Sequence, residues 1–420
     1  MINLFGDGRD WFFKDRFGMF VHWGIYSIPA WHEQILWRLN MPLDEYESYS
    51  KQFNPIKYNP DEWLDLMEEV GMKYICFTTK HHDGFCMWDT KCTSFNVMNT
   101  PYGKDILKML TDACHKRGIH VGLYYSCVDW HHPYYPNIGR SHELSGPKPG
   151  DTPDIERYYN EFVLKQIKEL CTNYGTISHF FWDMNTAEYK DEKINNLIRK
   201  LQPDAIINDR GPDSGDFSTP ERSVPAGQKF LEVTEACQSV GRHSWGYKKD
   251  EDYYSVAYLI NSIDKIMCMG GNYLLNVGPD SLGVIPDESK MILRKIGKWY
   301  RKVYESFDGT IPATHIITKE NIMMTQRDTT LYAHIPIPAI SSCIIPVPIE
   351  VLPLETVLLN TNTELAAKVE IIPGYFRHKP YLRIRGIPVD DLSNEVPVIK
   401  MVFDQSIREY FNVDILDSKA

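Results

Sequence analysis

Asp183 ends an otherwise apolar run, HFFWD, and an acid there is costly to bury unless it is paired or used. One use is to cap the next helix. The other is chemistry at a glycosidic bond, which needs two carboxylates, roughly 5–5.5 Å apart when the configuration is retained. The second acid must come from a loop facing Asp183. Glu221 in GDFSTPE and Glu235 in FLEVTEACQS lie in an irregular stretch and are the two candidates, although either also reads as a surface glutamate.

The adjacent pair His81-His82 has three readings: metal ligands with His22 and Asp83, core histidines satisfied by backbone, or neutral donors and acceptors for substrate hydroxyls. No HxxxH spacing and no paired cysteines support a metal, so none is expected. Arg210, just after a short apolar run, reads equally as a partner for a carboxylate or as a substrate contact. There is no P-loop and no GxGxxG, so no nucleotide or other cofactor is expected.

These residues need elements that bring them together. Apolar runs with β character occur at 17–24, 73–79, 119–126, 179–184, 205–209 and 272–277. Helical patterns occur at 60–70, 105–117, 154–173, 191–201, 254–267 and 288–304. Such alternation implies a parallel sheet buried on both faces and, with seven or eight units, a closed β/α barrel. In that fold the chemistry gathers where strands end. Here they end in His22, His81-His82, Tyr124, Asp183, Asp209-Arg210 and Asn276. Residues 211–241 are irregular, so one or two barrel helices are expected to be missing there. After about residue 310, Val, Ile, Thr and Pro predominate, which predicts an antiparallel β-sandwich. The expected domains are a catalytic barrel over 1–310 and a sandwich over 311–420.

Bulk composition agrees with this reading. A net charge of −11 disfavours nucleic acid as a partner. No apolar run reaches the roughly 18 residues of a membrane span. The nine cysteines are odd in number and form no CxxC pair, as expected for thiols in a reducing compartment. The opening MINLFGDG has neither a basic nor an apolar leader segment. The expectation is therefore a cytoplasmic protein, with a trimmed secreted form as the alternative.

Several motifs resemble the α-L-fucosidases of glycoside hydrolase family 29. They are FGMFVHWG (17–24), KHHDGFCMWDTKCTSFNV (80–97), FFWDM (180–184), NDRG (208–211) followed by GDFSTPE (215–221), HSWGY (243–247) and GGNYLLNVGPDSLGVIP (270–286). The match runs in order over about residues 10–310. The resemblance implies a retaining, exo-acting hydrolase that removes terminal α-L-fucose from oligosaccharides or glycoconjugates. It makes Asp183 the nucleophile, with Glu221 ahead of Glu235 as acid/base. It implies that His22, His81 and His82 bond fucose hydroxyls and that Trp31, Glu33, Tyr124 and Arg210 belong to the pocket. Trp245 would meet the 6-methyl group. Many members carry Glu-Trp where this chain has Glu33-Gln34, and Trp37 is the residue that would replace the lost aromatic. The rival readings are a glycosidase for a related L-sugar such as α-L-galactose, a catalytically silent sugar-binding protein, and a metal-dependent hydrolase using the three histidines.

Overall fold

In the computed structural model, residues 4–314, 316, 322–336, 340–348, 351–371 and 380–407 are described. Seven parallel strands form one sheet: β1 (Phe17–Val21), β2 (Tyr74–Lys80), β3 (His120–Ser126), β4 (His179–Asp183), β5 (Ile206–Ile207), β6 (Glu235–Ser239) and β7 (Asn272–Val277). Their spatial order is β5-β4-β3-β2-β1-β7-β6. Nearly every strand residue is buried, as expected when helices cover one face and the curled sheet encloses the other. The covering helices carry clear local signals. In the helix Pro60–Val70, Pro60 takes the first turn, Asn59 caps the Asp61 amide and Gly71 ends it in the left-handed region.

The two edges of the sheet are joined by the chain between them. Parallel bridges link Asn208 to Phe217, Ser218 to Thr234 and Glu221 to Cys237. Residues 217–221 thus fill the eighth position of a closed barrel. Among the described residues no helix lies between β5 and β6, so both helices of that sector are absent. Strand β6 itself falls inside the stretch expected to be irregular. Its sequence, EACQS, carries polar side chains in a buried strand, which hides it from apolar patterning.

Beyond the helix Asp287–Val303 the chain turns antiparallel. The strands are β8 (Ile311–Pro312), β9 (Met323–Arg327), β10 (Thr330–His334), β11 (Ser342–Pro348), β12 (Glu355–Leu358), β13 (Thr363–Glu364), β14 (Ala366–Glu370), β15 (Tyr381–Arg385) and β16 (Val398–Val402). They form a six-stranded sheet, β13-β12-β16-β10-β9-β8, and a three-stranded sheet, β11-β15-β14. Met324, Leu331, Ala333, Ile399 and Met401 share one core with Cys343, Ile345, Leu382 and Ile384 of the smaller sheet, so the two form a sandwich. Their neighbours Met323, Tyr332 and Val398 point the other way and join the barrel's core. The expected sandwich over 311–420 includes residues 408–420, which lie outside the described residues.

Candidate active site

The open end of the barrel holds a small pocket with a cavity volume of about 100 Å³ that opens to solvent. Asp183, the last residue of β4, projects into it. Its Oδ2 accepts a hydrogen bond from the Tyr124 hydroxyl at 2.6 Å, and its Oδ1 accepts from Arg210 Nη1 at 3.1 Å. Backbone contacts hold the strand end in place. Asn208 accepts from the Trp182 amide and donates to the Trp182 carbonyl, while Met184 turns the chain sharply at φ +55. Burial pushes the Asp183 carboxyl up, but Arg210, His82 and Tyr124 outweigh it and hold it below the usual carboxylate value.

The same Arg210 nitrogen donates to Glu221 Oε2 at 3.0 Å. One guanidinium nitrogen therefore bridges Asp183 and Glu221, and their bridged oxygens lie no more than about 6 Å apart. Arg210 is held in turn by the Thr219 hydroxyl and carbonyl, so the eighth barrel position supplies both the arginine's anchor and the second acid. The Glu221 side chain is 41% exposed, against 14% for Asp183, so the pair spans pocket floor and opening.

Glu235 is not part of this arrangement. It is the first residue of β6, fully buried, and accepts from the Tyr74 hydroxyl at 2.6 Å and pairs with His179 Nε2 at 3.0 Å. Tyr74 and His179 are themselves first residues of their strands. His179 and Asp183 lie four residues apart on β4, about 13 Å at 3.3 Å per residue. Glu235 thus sits at the closed end of the barrel, and the geometry removes it as the second-choice acid.

Three histidines, His22, His81 and His82, also line the pocket, and His82 Nε2 lies 3.9 Å from Asp183 Oδ2. His22 Nδ1 donates to Asn276 Oδ1 at 2.7 Å, an assignment made from the surrounding bonds, because the Asn276 amide nitrogen donates to Ser239 Oγ and the Trp245 carbonyl. His82 Nδ1 donates to Ser126 Oγ at 2.7 Å, since that hydroxyl already donates to Val128 O. In both rings Nε2 is left as an acceptor. Burial pushes His22 down to about 4 and His82 down to about 3, so both are neutral near pH 7. Burial and the neighbouring histidines also hold His81 low. Its ring stacks on Tyr124 at 5.6 Å. Neutral imidazoles of this kind suit sugar hydroxyls.

An apolar patch of Phe20, Phe181, Cys237 and Trp245 completes the wall. Phe20 and Phe181 lie two residues before His22 and Asp183 on β1 and β4, so strand alternation alone points all four inward. Cys237 had no such signal, because β6 was not read as a strand. Trp245 stacks on His22 at 5.2 Å and carries the Arg222 guanidinium 4.3 Å over its ring. Arg222, next to Glu221, sits at φ +49, a conformation uncommon outside glycine.

Two residues expected in the pocket are not on its wall. Glu33 is buried beneath the Trp245 loop, where its Oε2 accepts from Ser244 Oγ and the amides of Trp245 and Gly246 at 2.7, 2.9 and 3.1 Å. Its Oε1 has no partner among the described residues. Trp31 is exposed and lies off the lining. Gln34, by contrast, does line the pocket, as does His142 from the long loop after β3, which nothing in the sequence singled out. Trp37 is not on the wall but stacks on His142 at 4.8 Å.

The pocket histidines converge on a cavity lined by carboxylates and aromatic rings rather than on one point. Among the described residues, the group with metal-ligand spacing is Asp264, Cys268 and His334. It lies where the helix Val256–Cys268 meets β10, and none of the three lines the pocket.

The α-L-fucosidase family profile matches residues 7–305. Tissue α-L-fucosidase of Bos taurus is 28% identical over 359 residues, covering 77% of this chain and 74% of that protein. α-L-Fucosidase isoenzyme 1 of Paenibacillus thiaminolyticus superimposes with a TM-score of 0.85 at 33% identity, covering 95% of this chain and all of that one. A family 29 α-L-fucosidase of Bacteroides thetaiotaomicron, trapped as a covalent intermediate with 2-fluoro-fucosyl fluoride, superimposes at 0.79 with 27% identity, covering 94% and 96%.

Proposed function

From the premise that the chain belongs to the α-L-fucosidase family and is a glycoside hydrolase, we propose that it removes terminal α-L-fucose with retention of configuration, by two displacements at Asp183. The observation that carries this reading is the pair Asp183–Glu221, bridged by one nitrogen of Arg210. Two carboxylates whose facing oxygens share one nitrogen fit the short spacing of retention better than the roughly 6.5–9.5 Å that admits a water in inversion.

In the first step the ionised Asp183 attacks the anomeric carbon while Glu221 gives its proton to the departing oxygen. A fucosyl ester forms on Asp183 and the leaving group departs as an alcohol. In the second, Glu221 takes a proton from water, the hydroxide adds to the anomeric carbon, and the Asp183 carboxylate is released. His22 and His82 accept hydrogen bonds from sugar hydroxyls at Nε2, and Tyr124 and Arg210 hold the nucleophile. The 6-methyl group rests on Phe20, Phe181, Cys237 and Trp245. That apolar patch favours fucose over α-L-galactose, whose extra hydroxyl it opposes by about 10²-fold at most.

Proton NMR of the first sugar released from an aryl α-L-fucoside tests the stereochemistry. α-L-Fucose is expected before mutarotation, and β-L-fucose as first product would overturn the mechanism. We further place the enzyme in a reducing, cytoplasmic setting. The support is that all nine cysteines are free and eight are buried. Cell fractionation tests that assignment.

A further inference from the structure

The pocket floor is accounted for by the fucosyl ring, but one side of the rim is not. Gln34 and His142 reach the pocket there, backed by Trp37 and Arg38. His142 is held at φ +63, and strain of this kind in a non-glycine residue gathers at functional sites. Its carbonyl accepts from Trp130 Nε1 at 2.7 Å, its Nδ1 meets Ser141 Oγ at 2.8 Å, and its ring lies on Trp37. The loop thus fixes the imidazole while leaving its Nε2 without a protein partner among the described residues. Gln34 Oε1 accepts from Arg38 Nε at 2.9 Å, which turns the amide Nε2 outward. The Nη atoms of exposed Arg38 likewise have no protein partner among the described residues.

Resting on the fucosidase reading above, we propose that Gln34, Arg38 and His142, with Trp37 behind them, form a leaving-group subsite that takes a second pyranose. The side is set by Glu221, the exposed acid, which also acts electrostatically on His142 together with Asp183 and Arg38. The class follows from the chemistry of the rim. It offers several unpaired donors and acceptors in a small space, which a hydroxyl-rich ring satisfies. An alkyl chain or bare aryl group would desolvate them without replacement, and unpaired polar groups are costly. An aromatic at position 34 would present a stacking face, whereas the glutamine presents an amide.

The test compares two substrates. α-L-Fucosyl fluoride has a single-atom leaving group and fills the fucosyl site alone. A fucosyl disaccharide, with galactose or N-acetylglucosamine as second sugar, fills both. Arg38→Ala and Trp37→Ala lie off the pocket wall, and both are expected to leave kcat/KM for the fluoride unchanged. Each should lower kcat/KM for at least one disaccharide about three- to tenfold, the effect of one lost hydrogen bond for Arg38 and of lost support behind His142 for Trp37. Gln34→Ala and His142→Ala should lower the disaccharide-to-fluoride ratio further. Equal losses on both substrates, or none on either disaccharide, would overturn the subsite while leaving the fucosidase reading intact. A wild-type enzyme that does not hydrolyse the fluoride would overturn both.

Discussion

The roles proposed for Asp183 and Glu221 differ because their surroundings differ. Asp183 is half-buried on the pocket floor, accepts from Tyr124 and Arg210, and is held ionised by them; Glu221 stands at the opening with one bond to the same arginine. Asp183→Gly is therefore expected to reduce turnover of an aryl α-L-fucoside to background with the fold unchanged by circular dichroism. Retained activity would exclude Asp183 as nucleophile. Glu221→Ala should lower kcat by about 10²–10⁴-fold, the usual contribution of a general acid. External azide should restore turnover, with a fucosyl azide as product. If azide rescues Glu235→Ala instead, the positions of the two acids have been misjudged. Of this site, Asp183, His22, His81, His82 and Tyr124 were legible because each stands at a strand end or on its inward face. Glu33 was legible through the family resemblance but not in its place: its three hydrogen bonds to the Trp245 loop depend on a contact more than two hundred residues away in sequence.

Among the elements, the sector from β5 to β6 departs most from a regular barrel, and it supplies both Arg210 and Glu221. Replacing two helices with extended chain lets residues 217–221 lie beside β6 and carry an acid to the rim. The cost falls at the other end, where Glu235 begins a strand and must be buried. Tyr74 and His179 satisfy it. Glu235→Ala leaves His179 Nε2 buried without a partner and takes the carboxylate from Tyr74, so it is expected to cost about 1–3 kcal/mol of stability. Denaturant unfolding should record that loss, while the leaving-group dependence of kcat stays as in the wild type. An undiminished unfolding midpoint would show that the cluster carries no such load. The helices were readable from caps and 3.6-residue spacing. β6 was not, because EACQS has neither an apolar run nor strict alternation.

At the scale of the whole molecule, the sandwich is fastened to the barrel by its six-stranded sheet. Met323, Tyr332 and Val398 join the barrel core, and His334 Nδ1 bonds Asp264 Oδ1 at 2.7 Å across the junction. Asp264→Ala leaves that imidazole nitrogen buried and unpaired, and a loss of about 1–3 kcal/mol is expected by thermal or denaturant unfolding. Acid should act on the barrel as a whole. The unfolded chain protonates its histidines near 6.5, whereas folded His22 and His82 do so only at about 4 and about 3. Between these values the unfolded state binds more protons, so this stability is complete above pH 6.5 and declines as pH falls towards 4. A melting-temperature series from pH 7 to 4.5 should fall, and less steeply in His22→Asn; a flat series would contradict the buried neutral histidines. No helix among the described residues is long and apolar enough to cross a membrane. The sequence by itself determined the alternation of strands and helices, the end of the barrel that holds the site, the strand that ends in Asp183 and the change of architecture near residue 310. These are written in local spacing, which one segment carries alone. Only the tertiary structure decided which glutamate faces Asp183, how 217–221 closes the barrel, and that His142 and Gln34 share a rim. Those facts depend on register between segments far apart in the chain, where a shift of one residue turns a side chain to the opposite face.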